Sequence, residues 1–305
     1  MVNYTLRQLE YFVTVSQLGS IAGAADKLHV SASAIASSLT DLERALDAQL
    51  LLRRRSHGVA LTSSGREIFS RALNLLREAS ELGRVETLDE TLPGTLRLGS
   101  YSTLGPTVLA ELLGNYAQQH PLVDLDFRIG SQAELFHELQ TGTIDAALVY
   151  AFSLPFDLGI LPLKRLPHTV VMSENHRLAR KESISIHDLA DEPLILLDVY
   201  PSRENTMSLF EQAGVQPRIR FRATDYEVTR SLVGKELGCA ILIQHPHGDF
   251  TWTGRELTVR PLKSQAPPVE ICLVWNKSIR MNPPTIACVE LAKSLFSNEN
   301  QDDPS

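Results

Sequence analysis

Two short helical patterns joined by a tight turn constrain the N-terminal part of the chain more than any other feature. Ser20 is a favourable N-cap for a helix over about 21–28 that is small on one face. Ser31 is an equally good N-cap for a second helix that runs to about Leu46. Because small side chains let the second helix cross the first closely, the pattern predicts a helix-turn-helix. In that motif the first turns of the second helix enter the major groove of DNA. We expect this helix to bury Ala34, Ile35, Leu39, Leu42 and Leu46.

The charge distribution is compatible with such a role, although the net charge of the 305-residue chain is −7. Half of the basic residues within residues 1–62 form the single run Arg53-Arg54-Arg55, which lies between two extended pieces and beside Gly58. Extended pieces around a glycine-containing turn are typical of a β-hairpin. The pattern predicts a wing whose arginines reach phosphates or the minor groove, while the acid excess elsewhere limits non-specific binding.

A long helix follows over residues 63–90 and ends sharply at Pro93-Gly94. Ser64 and Glu67 have the spacing of a capping box. Two interpretations stay open for its apolar stripe: a helix lying on its own domain, or a dimerisation helix, which we favour. The stripe repeats every 3.5 residues on average, as in paired helices, through Ile68, Ala72, Leu75, Ala79 and Leu82.

Beyond residue 93 strand-like and helix-like segments alternate, which favours parallel α/β sheets with ligands at the carboxyl ends of the strands. The strand candidates are 95–100, 123–129, 145–150, 158–163, 194–197, 217–223, 239–243 and 269–275. The helix candidates are 104–118, 132–141, 202–213, 225–236 and 284–296.

Several classes of protein are disfavoured. No apolar run reaches the roughly 18 residues that a membrane-spanning helix needs, so we expect no membrane partner. The N-terminus lacks a basic region followed by an apolar stretch, which favours the cytoplasm. Cys239, Cys272 and Cys288 are too widely spaced to suggest a disulfide framework or a zinc site.

The chain resembles the LysR-type transcriptional regulators over nearly its whole length. Each motif alone is weak, but all of them occur in order and at the right intervals. The first helix Leu6–Phe12, the helix-turn-helix Gly19–Ser31, the linker-helix entry Leu61–Gly65, the effector-domain start Gly94–Gly99 and the segment Leu139–Leu148 carry the resemblance.

The resemblance implies an α/β protein with an all-α winged helix-turn-helix, a long linker helix and a two-lobed effector domain similar to periplasmic binding proteins. It further implies a homodimer formed through the linker helix, with a tetramer as an open alternative, and no cofactor. We expect these domains: 1–62 for DNA binding, with the helix-turn-helix at about 21–40; 63–92 for the linker helix; and 93–305 for effector binding, with lobe I at 93–163 and 267–300 and lobe II at 164–266.

One stretch departs from the family, in which the recognition helix often begins with Gln, Pro and a basic or amide residue. Residues 31–38 are Ser and Ala apart from Ile35, so long side chains that bond bidentately to bases are missing. We therefore hypothesise that DNA shape and the wing arginines carry more of the specificity. The residues expected to contact double-stranded DNA are Ser31, Ala32, Ser33, Ala34, Ser37, Ser38, Arg53, Arg54 and Arg55.

Loops between strands and helices are expected to bind a small-molecule effector between the lobes. Arg203 is the sharpest candidate, because across the cleft from Ser100 and Ser102 it would clamp an anionic metabolite bidentately. Alternatively it lies on an exposed helix face or pairs with Glu204. Several of the other polar residues are alternatively helix caps. The expected effector-binding residues are Ser100, Ser102, Thr103, Gln132, Tyr200, Ser202, Arg203, Thr224 and Asp225.

Other functions fit less well. An enzyme is disfavoured because no nucleophile elbow, P-loop or zinc-protease motif is present. A transport protein would need an export signal, and a regulator that answers to a partner protein stays an alternative. His245 and His247 lack a third metal ligand nearby, so we expect no metal site. Cys239 lies in an apolar strand with no second cysteine near it in sequence, which disfavours redox sensing.

Overall fold

The computed structural model describes residues 3–54, 58–82, 92, 94–155, 157–244 and 248–297. The side chains of Arg53, Arg54, Glu81, Leu82 and Ser297 lie outside this description. The expected order of elements is confirmed: short helices and a β-hairpin, one long helix, and then alternating strands and helices.

The N-terminal part forms a helix-turn-helix with a wing. Its elements are α1 (Leu6–Leu18), α2 (Ile21–Leu28), α3 (Ala32–Ala45), β1 (Leu51–Arg54) and β2 (Gly58–Leu61), and β1 pairs with β2 in antiparallel fashion.

The predicted caps set the ends of the two central helices. The Ser20 hydroxyl accepts the Gly23 N–H at 3.2 Å, and the Ser31 hydroxyl accepts the Ala34 N–H at 3.1 Å. The turn between the helices passes through His29 at φ 54°, a left-handed conformation that few residues adopt without strain. Local sequence thus fixes where both helices of the motif begin.

The core of this part holds Phe12, Ile35, Leu39 and Leu42, as expected for the last three. The expected burial of Ala34 is wrong, because Ala34 is exposed, about 100° around α3 from buried Ile35. Leu46 is only partly buried, since it lies past the end of the helix.

Helix α4 (Ser63–Leu82) begins two residues earlier than the predicted capping box requires. The Thr62 hydroxyl, not Ser64, accepts the Gly65 N–H at 2.8 Å, so Ser64 lies inside the first turn. Glu67 instead forms an ion pair with Arg71 at 2.6 Å, one helical turn along. The prediction of this cap is therefore wrong, while the helix is confirmed from Ser63 to Leu82, and residues 83–90 of the prediction lie outside the described residues.

The rest of the chain builds two groups of strands flanked by helices. In order, its elements are β3 (Gly94–Tyr101), α5 (Ala110–Gln119), β4 (Val123–Gly130), α6 (Gln132–Gln140), β5 (Ala146–Tyr150), β6 (Leu158–Leu166), β7 (Thr169–Ser173), β8 (Ile184–Ser185), β9 (Pro193–Leu197), α7 (Ser202–Gln212), β10 (Arg218–Ala223), α8 (Tyr226–Gly234), β11 (Ala240–Leu242), β12 (Leu257–Lys263), β13 (Val269–Asn276) and α9 (Pro283–Ser297).

The first sheet has the strand order β4-β3-β5-β13-β6, in which β3 is parallel to both β4 and β5, whereas β13 is antiparallel to β5 and β6. The second group contains the sheet β11-β7-β12-β8, antiparallel except for β12 and β8, and the parallel pair β9 and β10. The prediction of parallel sheets is thus only half right. Strand direction depends on where distant segments return, and β7, β8 and β12 were not predicted.

The chain passes twice between the two strand groups, after β6 and again before β13. β6 continues to Leu166, beyond the lobe boundary that the sequence suggested at 163. Because β3, β4 and β5 are parallel, their carboxyl ends lie at one edge of the first sheet, where it meets the second group.

Candidate functional site

The N-terminal turns of α3 form an exposed surface of small side chains. Ser31, Ala32, Ser33, Ala34 and Ser37 are exposed and Ser38 is partly buried. Ser31 is also occupied with capping, and its hydroxyl lies 3.1 Å from that of Ser33. The structure therefore brings the expected recognition residues to one accessible helix end.

The wing is held against the helix-turn-helix by backbone contacts. The Val59 N–H donates to the Gly19 carbonyl at 2.8 Å, so β2 lies directly on the end of α1. A Cβ atom on Gly58 would stand 2.3 Å from the same oxygen, and the φ of Gly58 is +76°. Only glycine fits this contact. Arg53 and Arg54 end β1, and Arg55 lies outside the described residues, so their expected DNA contacts stay predictions.

A small cavity of about 20 Å³ lies where the carboxyl edge of the first sheet meets the second strand group. This is room for about one water molecule. Thr103 and Tyr150 come from the first sheet side, and α7, α8 and the end of β11 close the rest. All of the lining residues are uncharged: Thr103, Tyr150, Leu197, Ser202, Asn205, Thr206, Tyr226, Ile241, Leu242, Ile243 and Gln244.

Hydrogen bonds organise the polar part of this lining. The hydroxyls of Thr103 and Tyr150 lie 2.8 Å apart. Gln244 accepts from the Thr107 hydroxyl through Oε1 at 3.3 Å, and its backbone carbonyl accepts from the Tyr226 hydroxyl. The Gln244 side chain approaches the Tyr150 hydroxyl closely enough to lower the pKa of Tyr150, but its buried Nε2 has no hydrogen bond of good geometry among the described residues. An unpaired buried donor is costly, and so it is a candidate ligand contact.

Burial keeps both tyrosines of the cavity neutral. It raises the pKa of Tyr226 to about 12. It also raises the pKa of Tyr150, although the hydrogen bond with Thr103 acts to lower that pKa. A phenol whose pKa lies this far above neutrality stays a hydrogen-bond donor at physiological pH. The lining thus offers hydroxyls and two amides but no full positive charge.

Two contacts bridge the cleft beside the cavity. The ring of Phe152, after β5, meets the ring of Tyr200 edge to face at 5.9 Å. The Tyr101 hydroxyl lies 3.4 Å from the Ser202 hydroxyl, at the long end of a hydrogen bond.

The predicted effector residues divide into three sets. Thr103 and Ser202 line the cavity, and Tyr200 stands at its margin. Ser100 and Gln132 are buried nearby but turn to backbone carbonyls, those of Tyr101 and Phe152 respectively. The remaining residues lie at the exposed surface: Ser102, Arg203, Thr224 and Asp225.

Arg203 and Asp225 occupy the positions that were the alternatives to effector binding, a surface ion pair and a helix cap. The Arg203 guanidinium contacts Glu204 and lies 3.2 Å from Asp198, so it does not line the cavity. Asp225 caps α8 by accepting the Val228 N–H at 2.8 Å. This geometry does not favour an anion clamp at Arg203, and the effector-binding roles of all these residues stay predictions.

Sequence reasoning missed Tyr150, Asn205 and Gln244 as cavity residues. Tyr150 ends one predicted strand and Gln244 directly follows another, so their position at the end of a strand was the signal that could have identified them. Asn205 lies one turn into α7 and bonds to His168 at 3.2 Å, a contact that no local pattern predicts.

The cysteines are buried as thiols. Desolvation raises the pKa values of Cys239, Cys272 and Cys288 to about 12 each. Among the described residues no group of three or more His, Cys, Asp or Glu side chains could hold a metal ion. His245 and His247 lie outside the described residues. No helix within the described part of the chain is long and apolar enough to cross a membrane.

Two family models match the chain. The model described as bacterial regulatory helix-turn-helix protein, lysR family, matches residues 6–66, and the LysR substrate binding domain model matches residues 89–297. Together they span most of the sequence, so the chain belongs to the LysR family. It is a DNA-binding transcriptional regulator with an effector-binding domain, not an enzyme, as the sequence predicted.

Individual relatives agree with this assignment. The crystal structure of HinK, a LysR family transcriptional regulator from Pseudomonas aeruginosa, is 32% identical, with a TM-score of 0.65 over 96% of this chain and 99% of that one. The uncharacterized HTH-type transcriptional regulator YvbU of Bacillus subtilis (strain 168) is 26% identical over 301 residues, 97% of this chain and 100% of that protein. The dual regulator OxyR of Escherichia coli (strain K12) is 28% identical over 239 residues, 78% of each chain.

Proposed function

We propose that this regulator, acting in the cytoplasm where its DNA lies, binds a small uncharged polar molecule between the lobes, where the cavity that now has room for about one water molecule widens to admit it. The observation that carries the proposal is the buried, unpaired Nε2 of Gln244 in a lining of neutral hydroxyls and amides. Such a lining favours the binding of a ligand with a hydrogen-bond acceptor. A carboxylate bound there would lose its hydration without forming an ion pair with a cation. This revises the anionic effector that the sequence suggested.

The chemistry of the effector can be tested with matched acid and amide pairs, such as acetate with acetamide and benzoate with benzamide. Thermal shift and Trp fluorescence would report binding. Amides should stabilise the protein and carboxylates should not, and Gln244→Met should abolish the response. The matched control Thr224→Ala changes an exposed hydroxyl outside the cavity and should leave the response intact. Stabilisation by the carboxylates alone, surviving Gln244→Met, would refute the uncharged class.

We further propose a homodimer formed through α4. Ala72 and Leu73 are covered within the chain itself, but Leu75 is 40% exposed and lies on one face with Ile68 and Ala79. These positions retain the spacing of a paired helix. Leu75→Glu should shift the protein toward monomer in sedimentation, whereas Arg66→Gln, an exposed residue on the opposite side of α4 from Leu75, should not. A wild-type mass of four chains would favour a tetramer, and an unchanged mass in Leu75→Glu would exclude this interface.

The proposed mechanism is a population shift in which the occupied cleft closes and changes the angle between paired DNA-binding domains. A footprint on the DNA upstream of the regulator's own gene tests it. We expect two protected half-sites spaced by whole helical turns and an altered DNA bend when a ligand from the amide panel is present. An unchanged footprint and bend would contradict the mechanism while leaving DNA binding intact.

The names of some relatives describe activators of hydrogen peroxide-inducible genes. We propose that this chain does not sense peroxide through its thiols. A thiol with a pKa of about 12 carries almost no thiolate at neutral pH, and all three are buried.

A further inference from the structure

Helix α4 docks onto the first sheet of its own chain through polar contacts on one side. Asn74 accepts the Arg280 N–H at 2.9 Å and donates to the Ser278 carbonyl at 3.1 Å. Arg77 donates to the Arg280 carbonyl at 3.2 Å and, through its other nitrogen, to Asp145 Oδ1 at 2.7 Å. About one turn of α4, from Asn74 to Arg77, therefore joins the linker helix to the effector-binding part.

The ion pair between Arg77 and Asp145 differs from the other pairs of α4. The Asp145 side chain is 1% exposed and that of Arg77 is 20% exposed. Arg71 and Glu67, by contrast, are 72% and 64% exposed. Exposed pairs contribute little to stability, while breaking a buried pair leaves a costly unpaired charge. The position of the Arg77 side chain therefore depends strongly on the position of Asp145.

Asp145 is fixed in turn to the edge of the first sheet opposite the cavity. Its Oδ2 accepts the Arg97 N–H at 3.0 Å, and its own N–H donates to the Arg97 carbonyl at 2.8 Å. Asp145 immediately precedes β5, which ends at Tyr150 in the cavity lining. Arg97 lies in β3, which leads to Thr103.

The linker helix and the cavity thus sit at the two ends of the same pair of strands. Five residues of β5 separate them, a distance of about 17 Å. Every residue of β5 is buried, and β5 is paired on both sides, by β3 and β13. A strand held in this way moves as a unit, so a shift at Tyr150 displaces Asp145.

We propose that Arg77 and Asp145 are positioning residues that couple the effector cavity to the linker helix through β5. When the wall of the cavity moves with Tyr150, the ion pair transmits the movement to α4 and so to the DNA-binding domains. This inference gives the regulation of the site proposed above and rests on that site for its biological meaning. The coupling itself can be measured without knowing the effector.

Hydrogen exchange on the full-length protein tests the coupling. Arg77→Gln should raise amide exchange about tenfold at the far end of the strands, in residues 101–104 and 146–152, beyond its effect on α4. The control Arg71→Gln removes an exposed arginine from the same helix and should leave those segments unchanged. In the reverse direction, Tyr150→Phe should raise exchange in residues 74–78 and 278–280.

Two results would overturn the proposal. Changes confined to α4, Asp145 and residues 278–280 would mean that the pair only fastens the helix. A uniform rise throughout the first sheet would mean general destabilisation. If Arg77→Gln fails to fold, Arg77→Lys keeps the charge but loses the two-point contact, and it must show the same localised pattern at smaller amplitude. Failure here leaves the acid and amide experiment unaffected, and failure of that experiment leaves the exchange result standing.

Discussion

The Glu43 carboxylate ties the recognition helix to the wing, because its Oε1 accepts the backbone N–H of Leu50 at 2.7 Å and that of Leu51 at 3.1 Å. Glu43 lies in the last turns of α3, and Leu51 begins β1. One side chain therefore satisfies two backbone donors where the chain enters the wing. The path of the backbone from α3 into β1 depends on this contact.

Replacing Glu43 by Ala should destabilise the DNA-binding part by about 1.5–3 kcal/mol, since hydrogen bonds to a charged group are lost and two donors stay unpaired. Glu43→Gln retains an acceptor and should cost less. Chemical denaturation and DNA affinity measure the two effects. Asp41→Ala is the matched control, because Asp41 is exposed and pairs with exposed Arg44. Equal losses in the Asp41 and Glu43 variants would argue against a tie between α3 and the wing.

The burial of the thiols makes a prediction about their reactivity. A raised pKa of about 12 leaves Cys239, Cys272 and Cys288 protonated at neutral pH. We expect a thiol reagent to label no cysteine in the native protein and all three after denaturation. Peroxide at low concentration should leave DNA affinity unchanged. Rapid labelling of Cys239 in the native state would contradict this.

Local patterns predicted what local physics determines. The ends of α2 and α3 follow from Ser20 and Ser31, whose hydroxyls cap the next turn. The wing follows from the extended pieces around Gly58. The candidate cavity residues Thr103 and Ser202 were found because strand ends and helix starts meet at that edge of a parallel sheet.

Long-range contacts account for what was missed. The direction of β13 is set by a chain that returns from the second strand group, which no window of sequence contains. Arg203 was expected in the cleft, but Asp198 and Glu204 lie closer and hold it at the surface. Arg77 and Asp145 are distant in sequence, so their pairing could not be predicted from either segment alone.

Buried His168 should make stability fall on mild acidification. Desolvation lowers its pKa from the ordinary value of 6.5, although the hydrogen bond with Asn205 acts to raise it. Because the folded pKa is below the unfolded one, the unfolded state binds more protons between the two values. Stability is therefore complete above about pH 6.5 and is lost as the pH falls toward the folded pKa.

Urea denaturation between pH 7.5 and pH 5 tests this. His168→Gln should flatten the decline, whereas exposed His187→Gln should keep the wild-type slope. The same decline in all three proteins would place the titrating group elsewhere.

The relative contributions of α3 and the wing to DNA affinity can be measured by the salt dependence of DNA binding. The exposed start of α3 offers only Ser and Ala, which give thin direct readout, so phosphate contacts by the wing should carry much of the affinity. Arg53→Ala should weaken binding across sequences and reduce the slope of log affinity against log salt by about one. Ser33→Ala should leave that slope unchanged and alter the preference among operator variants only slightly.

Arg44→Ala, at the far end of α3 and paired with Asp41, controls for the loss of any positive charge. If Arg53→Ala and Arg44→Ala behave alike while Ser33→Ala abolishes discrimination, the recognition helix reads bases directly after all, and the wing contributes no more than general charge.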